Sequence, residues 1–202
     1  PPVLMARSVD ALPESDDLPQ GDDKVRAVRS MFDTIAPRYD LVNRIMTFRM
    51  DVGWRKRAVR SLSLPPDSRV LDLACGTGDL CNDLAAVGLR PVGADLSYGM
   101  LAAARTDAPL TQADALNLPV PDNQVDGATC GFALRNLAAL EPFLAELARV
   151  VRPGGRIALL EVAEHVAEGD LRRPRPGELV DAGGDGGEGD AGATMLHRKL
   201  EA

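Results

Sequence analysis

The sequence predicts an α/β fold built on a doubly wound, mostly parallel sheet. Two observations support this prediction: apolar strand-like segments alternate with helix-like segments between residues 69 and 162, and a glycine-rich turn follows the first strand. Strands that alternate with helices imply parallel pairing, with helices on both faces of the sheet. The chain has 202 residues, which is enough for one domain with a sizeable core.

The segment ahead of the first strand has helical periodicity. From Lys24, apolar residues recur at spacings of three and four, as on one face of a helix: Val25, Val28, Met31, Phe32 and Ile35. Pro37 ends that helix, a second apolar set follows Tyr39 and Asp40, and a third segment opens at Trp54 with the letters WRKRAVR. We expect three short helices that form a lid.

The strand–helix alternation begins after Pro65 and Pro66. Predicted strands occupy 69–74, 90–95, 110–113, 125–131 and 156–162. A helix starts near Gly78, Ser97 can cap a helix that carries Met100, and 141–151 has the pattern of an amphipathic helix. These elements define a domain over 23–163, preceded by a disordered acidic leader at 1–22. Residues 164–202 are predicted to be a low-complexity Gly/Asp-rich tail without order.

Composition excludes several classes of protein. The net charge of −7 argues against a broad electrostatic interaction with nucleic acid. No secretory signal or bilayer-spanning run is visible, so a cytoplasmic location is expected. Three cysteines without paired spacing favour neither a disulfide framework nor a metal site.

The motif that carries the chemistry reads VLDLACGTGDL at 70–80. Gly76 and Gly78 allow a sharp turn and a close approach by a ligand. In open α/β sheets, ligands bind at the carboxyl ends of the strands. Asp95 closes the second predicted strand, where a carboxylate can accept hydrogen bonds from both hydroxyls of a ribose.

These features fit a dinucleotide as well as an adenosyl sulfonium, and charge distinguishes them. A dinucleotide would place its diphosphate at the start of the helix after the glycines. Asp79 lies in that turn and Asp72 lies just before the glycines, so both carboxylates oppose a diphosphate and favour a cationic ligand. Cys81 replaces the third glycine of the dinucleotide pattern. Asp79 can alternatively serve only to complement the helix dipole. An NAD-dependent oxidoreductase is therefore the disfavoured alternative.

The end of the third predicted strand offers a site for adenine. Asp114 can accept the exocyclic amine, and the backbone of Ala115 can contribute beside it. The alternative is that Asp114 only shapes a turn. Met100 can cover the adenine ring, although a methionine on a helix is more often a core residue.

The chain resembles the demethylmenaquinone/ubiquinone C-methyltransferase family. The likeness is carried by VLDLACGTGDL, GADLSYGML, QADALNLPVPDNQVDGAT, GFALRN and ARVVRPGGRIALLEV, with MFDTIAPRYDLVNRIMTFRMDVGWRKRAV ahead of them. The resemblance implies a class I, Rossmann-like methyltransferase fold and S-adenosylmethionine as cofactor. It also implies cofactor contacts at Thr77, Asp95, Asp114, Ala115 and Gly131. At position 131 the family usually has serine, so a hydroxyl is lost here.

The implied reaction is transfer of the sulfonium methyl group to a ring carbon beside a quinol hydroxyl. Arg135 is the candidate for stabilising a phenolate, and Tyr39 or Asp40 is the candidate for positioning or deprotonating the hydroxyl. Arg135 can alternatively pair with a carboxylate, and Tyr39 can be a packing residue of the lid. No metal is implied.

The implied substrate is a polyprenylated quinol, and its lipid tail makes peripheral membrane contact compatible with the sequence. The basic segment 54–60 could contact anionic lipid, although a solvated helix face is the favoured interpretation. Family members have two more strands after RIALLEV, which the sequence does not predict here. The alternatives are therefore a methyltransferase for another small molecule or a truncated, inactive cofactor-binding remnant. The choice between naphthoquinol and benzoquinol, the prenyl length and the oligomeric state stay open.

Overall fold

The computed structural model of the protein describes residues 21–36, 50–162, 180–181 and 193–199. They form one seven-stranded sheet in the order β3-β2-β1-β4-β5-β7-β6. The strands are β1 (Arg69–Leu73), β2 (Arg90–Asp95), β3 (Leu110–Gln112), β4 (Val125–Gly131), β5 (Val151–Val162), β6 (Val180–Asp181) and β7 (Ala193–Lys199). The first five pair in parallel, whereas β7 runs antiparallel to both β5 and β6. The predicted doubly wound, mostly parallel sheet is confirmed.

Helices cover both faces of this sheet. They are α1 (Gly21–Ile35), α2 (Met50–Ser61), α3 (Asp79–Ala86), α4 (Tyr98–Ala102) and α5 (Leu140–Val150), with a short 3-10 turn at Leu134–Asn136. Val70 of β1 packs with Leu84 of α3, while its neighbour Leu71 packs with Phe143 of α5. Because successive side chains of a strand point to opposite faces, β1 contributes to both cores.

Local sequence explains most of the boundaries. The Ser97 side chain accepts a hydrogen bond from the Met100 amide and caps α4, as the sequence predicts. The strands β2 and β4 have the predicted bounds. α1 begins at Gly21, three residues before the predicted start. β5 begins at Val151, five residues before its predicted start, because Val151 pairs with Val125 ahead of a register shift in the ladder.

The region after β5 differs from its prediction. The sequence predicts no strand beyond residue 163, but Ala193–Lys199 pairs with β5 along seven positions, and Val180–Asp181 pairs with β7. The physical reason is that β5 would otherwise present a row of unpaired backbone groups at the edge of the sheet. The segment ATMLHRK, which supplies the partner strand of β5, is short and lies in a Gly/Asp-rich tail whose composition predicts no strand.

Several predictions lie outside the described residues. They are the acidic leader up to residue 20, the second lid helix, and the greater part of the predicted tail. Among the residues that are described, no helix is long and apolar enough to cross a membrane.

Candidate functional site

A cleft opens at the carboxyl ends of β1 and β2, next to the point where the strand order reverses between β1 and β4. The glycine turn after β1, the ends of β2, β3 and β4, and one face of α1 form its walls. This position is where ligands bind in open α/β sheets.

Asp95 is held rigidly at the end of β2. Its Oδ2 atom accepts a hydrogen bond from the Gly76 amide at 2.8 Å, and its Oδ1 atom accepts one from the Ser97 amide at 2.8 Å. Burial raises the pKa of Asp95, and these two amides act against that shift. Each carboxylate oxygen can still accept a further hydrogen bond, so Asp95 can receive a diol inside the cleft.

The glycine turn has the left-handed backbone conformation that glycine adopts without strain. Gly76 and Gly78 have φ angles of 56° and 88°, which side chains other than glycine rarely tolerate. A Cβ atom at Gly76 would lie 3.0 Å from the Met100 methyl carbon. Met100 is buried and also lines the cleft. It therefore packs in the core and forms part of the cleft wall.

Asp114 and Ala115 line the cleft at the end of β3. The Asp114 Oδ1 atom accepts a hydrogen bond from the Leu116 amide at 2.9 Å. Asp114 therefore shapes a turn, which is the alternative role that the sequence predicts for it. It leaves Asp114 capacity to accept an amine as well.

A second chamber adjoins the cleft, and the two share Gly76, Gly131 and Phe132. Arg55, Asp72, Thr77 and Asp79 also line the chamber. Thr77 is buried there, in the turn between the two glycines. The chamber therefore carries charged groups, whereas the cleft is mainly apolar.

Arg55 of α2 organises the charges beside this chamber. Its guanidinium contacts Asp51 at 2.5 Å, Asp83 at 2.8 Å and Asp79 at 3.2 Å. Burial opposes its charge, but the three carboxylates raise the pKa of Arg55 above its ordinary value. The prediction that WRKRAVR forms a solvated basic face is wrong for Arg55, which is 8% exposed.

The pairing also corrects the charge argument built on Asp79. That carboxylate does not stand alone in the first turn of α3, because Arg55 compensates part of its charge. Three carboxylates against one guanidinium still leave the cluster with an excess of negative charge. Repulsion of a diphosphate therefore follows from the whole cluster rather than from Asp79 itself.

Asp72 lies beneath the glycine turn and is 1% exposed. Thr129 donates a hydrogen bond to its Oδ1 atom at 2.7 Å, and the Cys81 thiol contacts Oδ2 at 3.5 Å. Burial raises the pKa of Asp72 to about 7, and the bond from Thr129 acts against that shift. Asp72 is thus a buried group that can change charge near neutral pH.

The end of β4 contains a strained residue that sequence reasoning missed. Phe132 has a φ angle of 59° and lines both the cleft and the chamber. Its ring packs against Trp54, with the ring centres 6.3 Å apart. A bulky residue in this conformation is uncommon and concentrates at functional sites. No signal in the single sequence distinguishes it from an ordinary strand-end phenylalanine.

Gly131 lines both the cleft and the chamber. A Cβ atom at this position would lie 3.7 Å from the Leu80 side chain, an ordinary contact. The structure therefore has room for the serine that the family usually has at this position, and no steric contact requires glycine. Only the backbone of Gly131 can meet a ligand here.

Arg135 stands apart from the other predicted residues. It is on the 3-10 turn, and its Nη1 atom is 2.9 Å from the Glu161 Oε1 atom. Glu161 also accepts a hydrogen bond from the Leu134 amide at 3.0 Å. Asn136, one residue further on, lines the cleft, whereas Arg135 is not among the residues that line it. The alternative predicted for Arg135, pairing with a carboxylate, is what the structure contains. Tyr39 and Asp40 lie outside the described residues.

The helix α1 spans the cleft and is attached at both rims. Near its start, Lys24 donates a hydrogen bond to the Leu137 carbonyl at 2.8 Å. Near its end, the Asp33 Oδ1 atom accepts bonds from the Ser97 hydroxyl and the Gly99 amide. Phe32 lies between these anchors and lines the cleft. The helix α1 belongs to the predicted lid and lies over the cleft. The sequence does not predict its anchor Asp33, because the bonds to Ser97 and Gly99 join residues more than sixty positions apart.

Comparison with known proteins agrees with this geometry. The strand order, the glycine turn after β1 and the acidic end of β2 together define a class I methyltransferase fold. A putative methyltransferase of Haloferax volcanii, solved in complex with the Trm112 methyltransferase activator, is similar to this chain with a TM-score of 0.56 and 28% identity. That alignment covers 64% of this chain and 59% of the other.

Residues 20–171 match the model of the ubiE/COQ5 methyltransferase family, and the chain belongs to that family. The demethylmenaquinone methyltransferase of Corynebacterium urealyticum is 45% identical over 145 residues, which cover 71% of this chain and 63% of that protein. The demethylmenaquinone methyltransferase of Thermus thermophilus is 48% identical over 140 residues, covering 65% and 64%. The chain thus aligns with less than two thirds of the length of these curated relatives.

Proposed function

We propose that the chain binds S-adenosylmethionine and transfers its methyl group to a ring carbon of a quinol, converting demethylmenaquinol to menaquinol. The observation that carries the proposal is Asp95, a rigidly held carboxylate at the mouth of an apolar cleft beside the glycine turn. The relatives named demethylmenaquinone methyltransferase support the choice of acceptor.

The described residues fit an adenosyl sulfonium. In this proposal Asp95 accepts the two ribose hydroxyls, Asp114 and the Ala115 backbone bind adenine, and Met100 is an apolar wall; all four residues line the cleft. The excess negative charge around Arg55 lies beside the chamber that would hold the cationic end. This charge distribution is unfavourable for a diphosphate.

In the proposed reaction, the bound cofactor supplies a methyl group on a positively charged sulfur. The residues of the chain then hold the methyl group and the acceptor carbon at attack distance and exclude water. Phe32 on α1 and Phe132 after β4 form apolar walls that suit this task. Activation of the acceptor needs negative charge on the neighbouring phenol oxygen.

Arg135 remains our candidate for stabilising that oxygen, with Tyr39 or Asp40 as candidates for holding its proton. The ion pair with Glu161 means that Arg135 must turn toward the cleft when the acceptor binds. Because Arg135 is more than half exposed in the structure, such a movement is sterically open.

The lipid tail of the acceptor leads us to propose a peripheral contact with a membrane surface. On α1, Met31 and Ile35 are exposed to 46% and 39%, although they continue the apolar stripe from which Val28 and Phe32 face the cleft. Exposed apolar side chains beside a cleft entrance suit a substrate delivered from lipid. Co-sedimentation with vesicles, compared between the chain and its Met31→Ser/Ile35→Ser variant, tests this proposal.

The decisive experiment for activity uses tritiated S-adenosylmethionine and a short-chain demethylmenaquinol. We expect label in the naphthoquinol ring, and its loss in the Asp95→Ala variant. Transfer to an unrelated phenol but not to the naphthoquinol would contradict the proposed acceptor. Cofactor binding without any transfer would identify the chain as a binding remnant.

A further inference from the structure

The helix α1 reaches the connection that follows Asp95 through the carboxylate of Asp33. The Asp33 Oδ1 atom accepts hydrogen bonds from the Ser97 hydroxyl at 2.5 Å and from the Gly99 amide at 2.8 Å. Its Oδ2 atom lies 3.9 Å from the Arg29 Nε atom, one turn earlier on α1. Asp33 therefore joins the last turn of α1 to the start of α4.

Ser97 links Asp33 to the carboxylate that we propose as the ribose acceptor. Ser97 is 2% exposed, and its hydroxyl both donates to Asp33 and accepts a bond from the Met100 amide at 3.1 Å. The Ser97 amide donates to the Asp95 Oδ1 atom at 2.8 Å. Bonds to the side chain and the backbone of one residue support each other and favour a single conformation. The network that orients Asp95 thus extends through Ser97 to Asp33.

The close approach of α1 to α4 depends on Gly99. A Cβ atom at this position would lie 2.8 Å from the Asp33 Cα atom and 3.1 Å from the Asp33 carbonyl oxygen. Because these are backbone atoms, the contact could be relieved only by moving the two helices apart. Glycine is a poor helix former, so its presence on α4 is explained by the space that α1 requires.

We infer that Asp33 is a positioning residue that couples the docking of α1 over the cleft to the orientation of Asp95, and thereby raises the affinity for the methyl donor. Asp33 is not among the residues that line the cleft, so it acts through Ser97 rather than on the ligand. The same helix contributes Val28 and Phe32 to the cleft wall, so one docking event closes the cleft and aligns Asp95. The inference rests on the proposed function, because it takes Asp95 as the acceptor of the ribose hydroxyls.

The test is calorimetric titration of the intact chain and its variants with S-adenosylhomocysteine. For Asp33→Ala we expect about tenfold weaker binding, because hydrogen bonds that orient Asp95 are lost. Asp33→Asn keeps an oxygen atom that can accept both bonds, so its affinity should stay within about threefold of the wild type. Asp23→Ala, which removes the partner of Arg26 on the same helix, is the matched control and should change the affinity less than about twofold.

A second variant disturbs the same interface from α4. Gly99→Ala leaves both carboxylates in place and favours helix formation, but its Cβ atom would collide with the Asp33 backbone. We expect an affinity loss similar to that of Asp33→Ala. Binding by Gly99→Ala that is as tight as in the wild type would overturn the inference, since the docking of α1 would then have no effect on the ligand.

A double-mutant cycle separates positioning from an effect on the fold alone. In the Asp95→Ala background, Asp33→Ala should change the affinity less than about twofold, because the group that Asp33 orients is gone. An equal tenfold loss in both backgrounds would show that Asp33 does not act through Asp95 and would overturn the inference, as would full affinity of Asp33→Ala alone. Failure of the wild-type chain to bind S-adenosylhomocysteine would instead contradict the proposed function, and the inference with it.

Discussion

The cleft and the chamber lie side by side, but they are built in different ways. The cleft is made by the ends of adjacent strands and the turns that follow them, as where the end of β2 brings Asp95 to the Gly76 amide after β1. The chamber is made by charges that meet across the fold, since Arg55 of α2 pairs with Asp79 and Asp83 of α3.

This difference has an energetic consequence. The cleft depends mainly on backbone amides and apolar walls, whose contributions change little with pH; its carboxylate Asp95 has a pKa that burial raises, against the effect of two backbone amides. The chamber depends on buried charges, which are stable only while every partner is present. Mutations and pH should therefore affect stability mainly through the chamber, and should affect binding of the nucleoside mainly through the cleft.

The largest expected effect is on stability, from Arg55→Met. Removing the guanidinium leaves Asp51, which is fully buried, and Asp83 without their common partner. We expect the free energy of unfolding to fall by about 3–5 kcal/mol, the typical result of breaking a buried ion pair. Urea unfolding followed by circular dichroism measures this change. A loss no larger than that of Arg57→Met, an exposed arginine on the same helix, would contradict the account.

The next effect is a dependence of stability on pH that comes from Asp72. Its native pKa is raised to about 7 by burial, while an unfolded aspartate titrates near about 3.9. The native state therefore favours the protonated form. The stability contributed by this group is complete below pH ~4 and is lost as pH rises through ~7.

Removing the titrating group should remove this dependence. Relative to Asp72→Asn, the wild-type chain should lose at most about 4 kcal/mol of unfolding free energy between pH ~4 and ~8. Urea unfolding of both proteins at matched pH values isolates the contribution of Asp72, because the other groups are common to both. Parallel pH profiles for the two proteins would show that Asp72 does not titrate in this range.

A binding effect of similar order is expected from Asp95→Ala in the cleft. Two hydrogen bonds from the ribose to a carboxylate are lost, so the affinity for S-adenosylhomocysteine should fall by about 100-fold. Titration calorimetry measures the change, and Asp107→Ala, at an exposed aspartate, is the control. If both variants bind as tightly as the wild-type chain, Asp95 is not the ribose acceptor.

The smallest effect is expected from Gly131→Ser. The new Cβ atom meets only Leu80, at 3.7 Å, so stability should change by less than about 0.5 kcal/mol. The restored hydroxyl can add one hydrogen bond to the cofactor, worth a gain of about two- to tenfold in affinity. Weaker binding in the serine variant would indicate that the backbone at this position needs glycine.

The same contrast explains what the sequence could predict. The strands, the cap at Ser97 and the pairing of Gly76 with the end of β2 follow from local patterns, since each depends on a strand, a turn or a helix start. The sequence predicts that Arg55 belongs to a basic surface segment, because nothing in WRKRAVR distinguishes a buried arginine from its exposed neighbours. Only the packing of α2 on α3 makes that distinction.

The strand β7 and the residue Phe132 show the same limit at longer range. The segment ATMLHRK becomes a strand because β5 offers an open edge, which is a property of the folded sheet rather than of the segment. The positive φ angle of Phe132 occurs at the end of β4, where the Phe132 amide donates a hydrogen bond to the Leu160 carbonyl of β5 at 2.7 Å. Neither the pairing of β7 nor the φ angle of Phe132 can be predicted from the residues next to it in the sequence.

The central claim is that the joined cleft and chamber take a cationic adenosyl ligand and reject a diphosphate. Parallel calorimetric titrations of the chain with S-adenosylmethionine, S-adenosylhomocysteine and NADH test it most directly. We predict that both sulfur-containing nucleosides bind and that NADH does not. Tight binding of NADH, with no uptake of the methyl donor or its demethylated product, would contradict the account.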